Sequence, residues 1–123
     1  MSTPLVLLVD AHDDSRAIYA AILRHAGYAV AAAVLWDEGL IHARLAPPDL
    51  VVLGLAPPRA AALDCVRCFL GEPATARVPL LALSTVPGVD ERDTLLAEGI
   101  TAYLPKPCTP LELLAEVRRL LAG

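Results

Sequence analysis

The chain has 123 residues, of which 56% are hydrophobic and 20% are charged, with a formal net charge of −4. This apolar fraction and modest charge exclude an intrinsically disordered chain and favour one compact domain covering residues 1–123. No apolar run approaches the roughly 20 residues of a membrane-spanning helix, and the first residues lack the basic start of an export signal, so we expect a cytoplasmic protein.

Short apolar runs alternate with longer helical patterns along the chain. Leu5–Val9 is a continuous apolar run typical of a buried parallel strand, and the helix after it begins with Asp13 or Asp14 as N-cap. Further strands are predicted at 28–33, 50–53, 78–83 and 100–104. Further helices are predicted at 36–45, at 60–70, from an Asp90 N-cap to Glu98, and from a capping box at 109–112 to residue 121.

Five strands, each followed by a helix, predict an α/β fold. Right-handed crossovers place helices on both faces of a parallel sheet. In such sheets, ligands bind beyond the carboxyl ends of the strands. The residues expected at that edge are Asp10, Ala11, Gly54, Ser84, Thr85 and Lys106.

The cysteines and histidines do not form a recognisable metal site. A Cys-x-x-Cys spacing is present, but it lacks a second pair for zinc and lies inside a predicted helix, so we interpret it as helix packing. An odd number of cysteines without an export signal predicts reduced thiols at Cys65, Cys68 and Cys108. Surface or helix-face positions are expected for His12, His25 and His42.

Four segments at the ends of the predicted strands are distinctive. They read LLVDAHDDSR at 7–16, PDLVVLG at 48–54, LALS at 81–84 and YLPKP at 103–107. Together they resemble the receiver domain of bacterial two-component response regulators, and the resemblance covers residues 5–121. It implies a flavodoxin-like (βα)5 fold with a doubly wound, five-stranded parallel sheet in the order 2-1-3-4-5.

The resemblance also implies roles for particular residues. In the family, two adjacent acids after the first strand hold Mg²⁺, an Asp after the third accepts a phosphoryl group, and a hydroxyl residue and a Lys contact that group. Asp10, Ser84 and Lys106 match the first acid, the hydroxyl and the lysine, and Tyr103 matches an aromatic switch position. Ser84 is expected to bond the local backbone, and the family pattern predicts a cis peptide bond before Pro107.

Two positions depart from the family pattern. Ala11 occupies the second acidic position, and Gly54 occupies that of the phosphoacceptor Asp. Glycine cannot be phosphorylated, and the loss of two carboxylates removes most of the attraction for Mg²⁺, so no catalytic residue and no cofactor are predicted. Asp10 and Lys106 sum to zero charge and are expected to form an ion pair. The alternative for Asp10 is a vestigial metal ligand, with weak Mg²⁺ binding at most, helped by Asp13.

These departures predict a pseudo-receiver: not an enzyme, but a domain that signals through protein contacts without conventional Asp phosphorylation. The resemblance implies a histidine kinase, output domain or other signalling protein on the face of the fourth helix, fifth strand and fifth helix, or a homodimer. Net acidity without a basic cluster argues against direct nucleic-acid contact. Two alternatives stay open. One is phosphorylation at Asp10, Ser84 or Thr85, and the other is a small ligand or nucleotide bound at the carboxyl edge of the sheet, where Gly54 and Ala11 leave more space.

Overall fold

Five parallel strands form one sheet in the computed structural model, which describes residues 3–123. Met1 and Ser2, the first residues of the predicted domain, lie outside the described residues. The strands are β1 (Leu5–Val9), β2 (Ala29–Ala33), β3 (Leu50–Leu55), β4 (Leu80–Ser84) and β5 (Ala102–Pro105). Their order is β2-β1-β3-β4-β5, all parallel, which confirms the predicted flavodoxin-like architecture.

A helix follows each strand, as predicted. The helices are α1 (Asp13–His25), α2 (Trp36–Leu45), α3 (Arg59–Gly71), α4 (Glu91–Glu98) and α5 (Pro110–Ala122). The capping box of α5 is present, because Thr109 Oγ1 accepts from the Glu112 N–H and the Glu112 carboxylate accepts from the Thr109 N–H. Within residues 3–123, no helix is long and apolar enough to cross a membrane.

Both faces of the sheet are covered by apolar side chains, which explains why the strand sequences are continuously hydrophobic. Alternate residues of a strand point to opposite faces. Leu7 and Val9 therefore pack with α2, α3 and α4, whereas Val6 and Leu8 pack with α1 and α5. Two cores result, one on each side of the sheet, and they hold the carboxyl ends of the strands in a fixed arrangement.

Several strand boundaries differ from the predicted ones because backbone hydrogen bonds decide them. The Tyr28 N–H donates to Leu23 O and the Ile100 N–H to Leu95 O, so both residues complete the preceding helix and β2 and β5 begin later than predicted. The start of β4 likewise lies at residue 80 and not 78. Gly54 pairs with Leu83, so it lies inside β3 and not after it.

The predicted cap of α1 was wrong, whereas Asp90 is the N-cap residue of α4 as predicted, although its side chain does not cap the helix. His12, and not Asp13 or Asp14, caps α1: its Nδ1 accepts a hydrogen bond from the N–H at the third helical position, at 3.1 Å. The two aspartates lie in the first turn, where their negative charges interact favourably with the positive end of the helix dipole. Asp90 precedes α4 but makes no capping hydrogen bond, since its carboxylate accepts from Arg59 at 3.1 Å.

Candidate functional site

Asp10 and Lys106 meet at the carboxyl edge of the sheet, although β3 and β4 lie between their strands. Lys106 Nζ donates to Asp10 Oδ2 at 2.6 Å, and less than a tenth of either side chain is exposed. The other carboxylate oxygen, Oδ1, accepts from the His12 N–H at 2.9 Å. The ion pair expected from the sequence is therefore present, and both carboxylate oxygens of Asp10 are hydrogen-bonded.

The peptide bond between Lys106 and Pro107 is cis, as the family pattern predicted. Lys106 Nζ also lies 5.8 Å from the centre of the Tyr19 ring, within range of a cation–π attraction. Burial raises the pKa of Tyr19 to about 12, and its hydrogen bond with Cys108 adds to the shift. The phenol is therefore neutral at physiological pH, and the negative charge beside Lys106 is that of Asp10.

Gly54 lies against the carboxyl group of Asp10. A Cβ atom placed on Gly54 would be 2.5 Å from Asp10 Cγ and Oδ2 and 2.9 Å from Oδ1. Because these separations are shorter than real Cβ contacts, only glycine fits at this position while Asp10 keeps its place. The Asp10 carboxylate thus occupies the space in which any side chain at position 54 would begin.

The structure does not bring every predicted site residue to this ion pair. Ser84 is 2% exposed, and its hydroxyl accepts from the Val86 N–H at 3.0 Å, which is the local backbone bond expected from the sequence. Thr85 lines the same cavity as Asp10 and Lys106, and its hydroxyl donates to Leu55 O at 3.4 Å. Tyr103 is half-buried and packs against the core on the side of α3 and α4.

The residues at this edge do not fit a Mg²⁺ site. Ala11 offers no side-chain ligand, and both carboxylate oxygens of Asp10 already accept hydrogen bonds. Asp13 is largely exposed, and its Oδ1 accepts from Arg16 at 2.7 Å. No group of three His, Cys, Asp or Glu side chains arranged for a metal occurs in residues 3–123. A hard divalent cation requires several oxygen ligands at once, which this set does not offer.

A cavity of about 310 Å³ opens beside the ion pair. Its walls include Tyr19, Leu55 and Pro107, and apolar atoms form most of its surface. A second hollow of about 210 Å³ extends to Trp36 at the start of α2. The two hollows share the residues Ala11, Gly54, Leu55 and Ala56.

Other chemistry-bearing residues are structural. The three cysteines are reduced, and burial raises the pKa of the Cys65 thiol to about 12, in agreement with the predicted packing role. His25 and His42 lie exposed on helices, as expected. The sequence did not reveal the pairing of the buried Glu91 carboxylate with Arg59, whose Nε lies 3.3 Å away. No local signal predicts it, since the two residues are distant along the chain.

Comparisons with known proteins identify the family of the chain. A family model described as the response regulator receiver domain matches residues 6–118. The transcriptional regulatory protein PrrA of Mycobacterium leprae is 36% identical over 122 residues, which make up 98% of this chain and 51% of that protein. PrrA of Mycobacterium tuberculosis is 37% identical over the same length. The chain thus spans about half the length of these curated relatives.

Solved structures show the same fold. Chemotaxis protein CheY4 of Vibrio cholerae aligns with a TM-score of 0.87 at 28% identity, covering 98% of this chain and 100% of that one. A CheY-like receiver domain protein from Methanospirillum hungatei aligns with a TM-score of 0.87 at 21% identity, over 98% of this chain and 95% of that one, a likeness of fold alone.

Proposed function

The chain belongs to the response regulator receiver domain family, and we propose that it is a degenerate receiver, which signals without conventional aspartyl phosphorylation. Receiver domains are signalling modules that interact with protein partners such as kinases and output domains. The observation that carries the proposal is the Asp10 carboxylate beside Gly54, bonded to Lys106. The chain's own ion pair fills the place where the phosphoacceptor side chain would begin.

The chemical requirements of phosphoryl transfer support the proposal of a degenerate receiver. The reaction needs a nucleophile in line with the donor, a cation, and donors for the equatorial oxygens. Gly54 supplies no nucleophile, the acids around Asp10 do not fit Mg²⁺, and Lys106 is engaged by Asp10. In this proposal the protein is not an enzyme and requires no metal cofactor.

The alternative acceptors are poorly placed for the chemistry. The side chain of Asp10 is 3% exposed, and both its oxygens are hydrogen-bonded. The hydroxyl of Ser84 is buried and accepts from the backbone. Thr85 is exposed, but a threonine hydroxyl needs a general base to become a good nucleophile. We therefore assign none of these residues as a phosphorylation site.

Partner contact is proposed on the face formed by α4, β5 and α5, by analogy with the family. Leu96 on α4 and Leu111 on α5 are 36% and 78% exposed and offer apolar contact groups there. The partner classes are a histidine kinase, an output domain or another signalling protein, and a second copy of the chain is the remaining option. Leu111→Glu should weaken partner contact at this face, whereas Ile18→Glu, which alters an exposed residue of α1, should not.

The decisive experiment measures the intact mass of the chain after incubation with acetyl phosphate and Mg²⁺. The unmodified sequence is expected to keep its mass. The matched variant carries Ala11→Asp together with Gly54→Asp, which restores both acids of the family pattern. The side chain at position 54 moves the Asp10 carboxylate aside, and the variant is expected to gain one phosphoryl group when Mg²⁺ is present. Circular dichroism first establishes that this variant is folded. A stoichiometric gain by the unmodified sequence would overturn the proposal, and fragment masses would then locate the modified residue.

A further inference from the structure

The cleft beside the ion pair is large enough for an organic molecule. Its volume is about 310 Å³, whereas binding sites for small molecules begin at roughly 300 Å³ and an apolar cavity of about 150 Å³ already accepts a benzene ring. Three small residues, Ala11, Gly54 and Ala56, line both this cavity and the hollow next to it. Longer side chains at these positions would fill the space, so their smallness keeps the cleft open.

The formal charges that face the cavity cancel each other. The residues that line it include one acid, Asp10, and one lysine, Lys106, whose side chains form an ion pair at 2.6 Å. An anionic ligand would place a second negative charge beside the Asp10 carboxylate, and a cationic ligand would place a second positive charge beside Lys106. Either ligand would bring an unbalanced charge next to a pair that is already neutral and almost fully buried, which is unfavourable. The charge pattern therefore favours a neutral ligand.

Two of the residues that line the cleft, Lys106 and His12, have N–H donors to spare. An ammonium group has three N–H donors, and Lys106 uses one of them on Asp10 Oδ2. His12 Nδ1 accepts from the Ser15 N–H, so in the neutral imidazole the proton is assigned to Nε2, which is then a donor. A ligand that presents an acceptor, such as a carbonyl oxygen, complements these groups. Its remaining surface would meet the apolar walls formed by Tyr19, Leu55 and Pro107.

We propose that this cleft binds a neutral, mostly apolar small molecule with one or two rings and a carbonyl-type acceptor at one edge. The inference rests on the proposed function in one respect, since the cleft has to remain unphosphorylated with the Asp10–Lys106 pair intact. Ligand occupancy would replace phosphorylation as the event that takes place at the carboxyl edge of the sheet.

Amide NMR titrations with two matched probes test this inference. Naphthamide is neutral and carries a carbonyl acceptor, whereas naphthoate has the same rings and a negative charge. Naphthamide should shift the amide signals of Ala11, Gly54 and Ala56 saturably. Naphthoate should bind at least about tenfold more weakly, equivalent to about 1.4 kcal/mol, and inorganic phosphate should leave these signals unchanged. Tighter or equal binding of naphthoate or phosphate, or no saturable shift with naphthamide, would overturn the inference.

Matched variants locate the site. Ala56→Leu fills the cleft and should weaken naphthamide binding at least about tenfold, and Ala11→Leu serves the same purpose if the first variant does not fold. Ala21→Leu makes the same change on the exposed side of α1, away from the residues that line the cleft, and should leave binding unchanged. Undiminished binding in a folded cleft-filling variant would refute the assignment.

The outcomes separate this inference from the proposed function. An unmodified mass with no naphthamide binding would remove the ligand site alone. A phosphorylated chain that still binds naphthamide in its unphosphorylated form would instead remove the proposed function alone.

Discussion

Replacing Gly54 by alanine adds one methyl group where the Asp10 carboxylate lies. The new Cβ would be 2.5 Å from Oδ2, so the carboxylate must move. It is held by Lys106 Nζ at 2.6 Å and by the His12 N–H at 2.9 Å. Since both bonds depend on the present position of the carboxylate, moving it weakens at least one of them.

The expected loss follows from these contacts. A hydrogen bond to a charged group contributes about 1.5–3 kcal/mol to stability. Replacing glycine with alanine also restricts the unfolded chain, which stabilises the folded protein by about 0.4–1 kcal/mol. If one bond of Asp10 is lost, the free energy of unfolding falls by about 0.5–2.6 kcal/mol. For a chain of this size, each kcal/mol lowers the melting temperature by roughly 3–5 °C.

Urea unfolding followed by circular dichroism measures this effect. The control is Gly71→Ala at the end of α3, where an added Cβ meets no atom within 4 Å. That variant should keep its stability or gain up to about 1 kcal/mol, because alanine is the better helix former. The contrast between two identical substitutions separates the collision with Asp10 from the general effect of removing a glycine.

A double-mutant cycle identifies the group responsible. In an Asp10→Ala background, the added methyl group no longer meets a carboxylate, so the Gly54→Ala penalty should disappear. The interaction energy between the two sites should then equal the contribution of the lost bond, about 1.5–3 kcal/mol, because the effect on the unfolded chain is the same in both backgrounds. Equal penalties in both backgrounds, or no penalty in the original sequence, would refute the reasoning that Asp10 occupies the space above Gly54.

Three further outcomes can be measured on the same protein. Arg59→Gln removes the positive charge beside the buried carboxylate of Glu91, so the melting temperature of this variant should fall. Arg118→Gln on the exposed side of α5 is the control and should cause a smaller fall, whereas equal falls would contradict the pairing of Arg59 with Glu91. The Tyr19 pKa is raised from 10.0 to about 12 mainly by burial, so this phenol should ionise late in an absorbance titration, and Tyr19→Phe should remove the late component. Because the folded pKa is higher than the unfolded one, its contribution to stability is complete below pH 10.0 and is lost as the pH rises towards about 12. Burial also raises the Cys65 pKa to about 12, so iodoacetamide should modify this thiol in urea but not in the folded chain, and rapid modification of the folded chain would argue against its burial.

The strand and helix pattern could be predicted because it depends on local chemistry. Continuous apolar runs mark strands that are buried on both faces, and the bounds of α2 and the capping box of α5 follow from short sequence signals. The boundaries that were wrong depend on backbone hydrogen bonds to other elements. Tyr28 completes the turn that ends α1, and Gly54 joins β3 through its pairing with β4.

The candidate site was predictable only in part. The ion pair between Asp10 and Lys106 follows from opposite charges at the carboxyl ends of parallel strands, once the missing acids are noted. The cap formed by His12 and the pairing of Arg59 with Glu91 were not predicted. A side chain with several available partners is directed by the packing around it, and local sequence does not record that packing.

By itself, the sequence determined the parallel α/β fold, the receiver family and the residue types at the carboxyl edge, because apolar periodicity and the residues after each strand are local properties of the chain. Only the tertiary structure decided how those residues share space. It placed the Asp10 carboxylate against Gly54, turned Ser84 towards the backbone and left an apolar cleft beside a neutralised ion pair. The physical reason is that side-chain positions depend on contacts between distant strands, and here a missing methyl group at one strand sets the position of a charge at another.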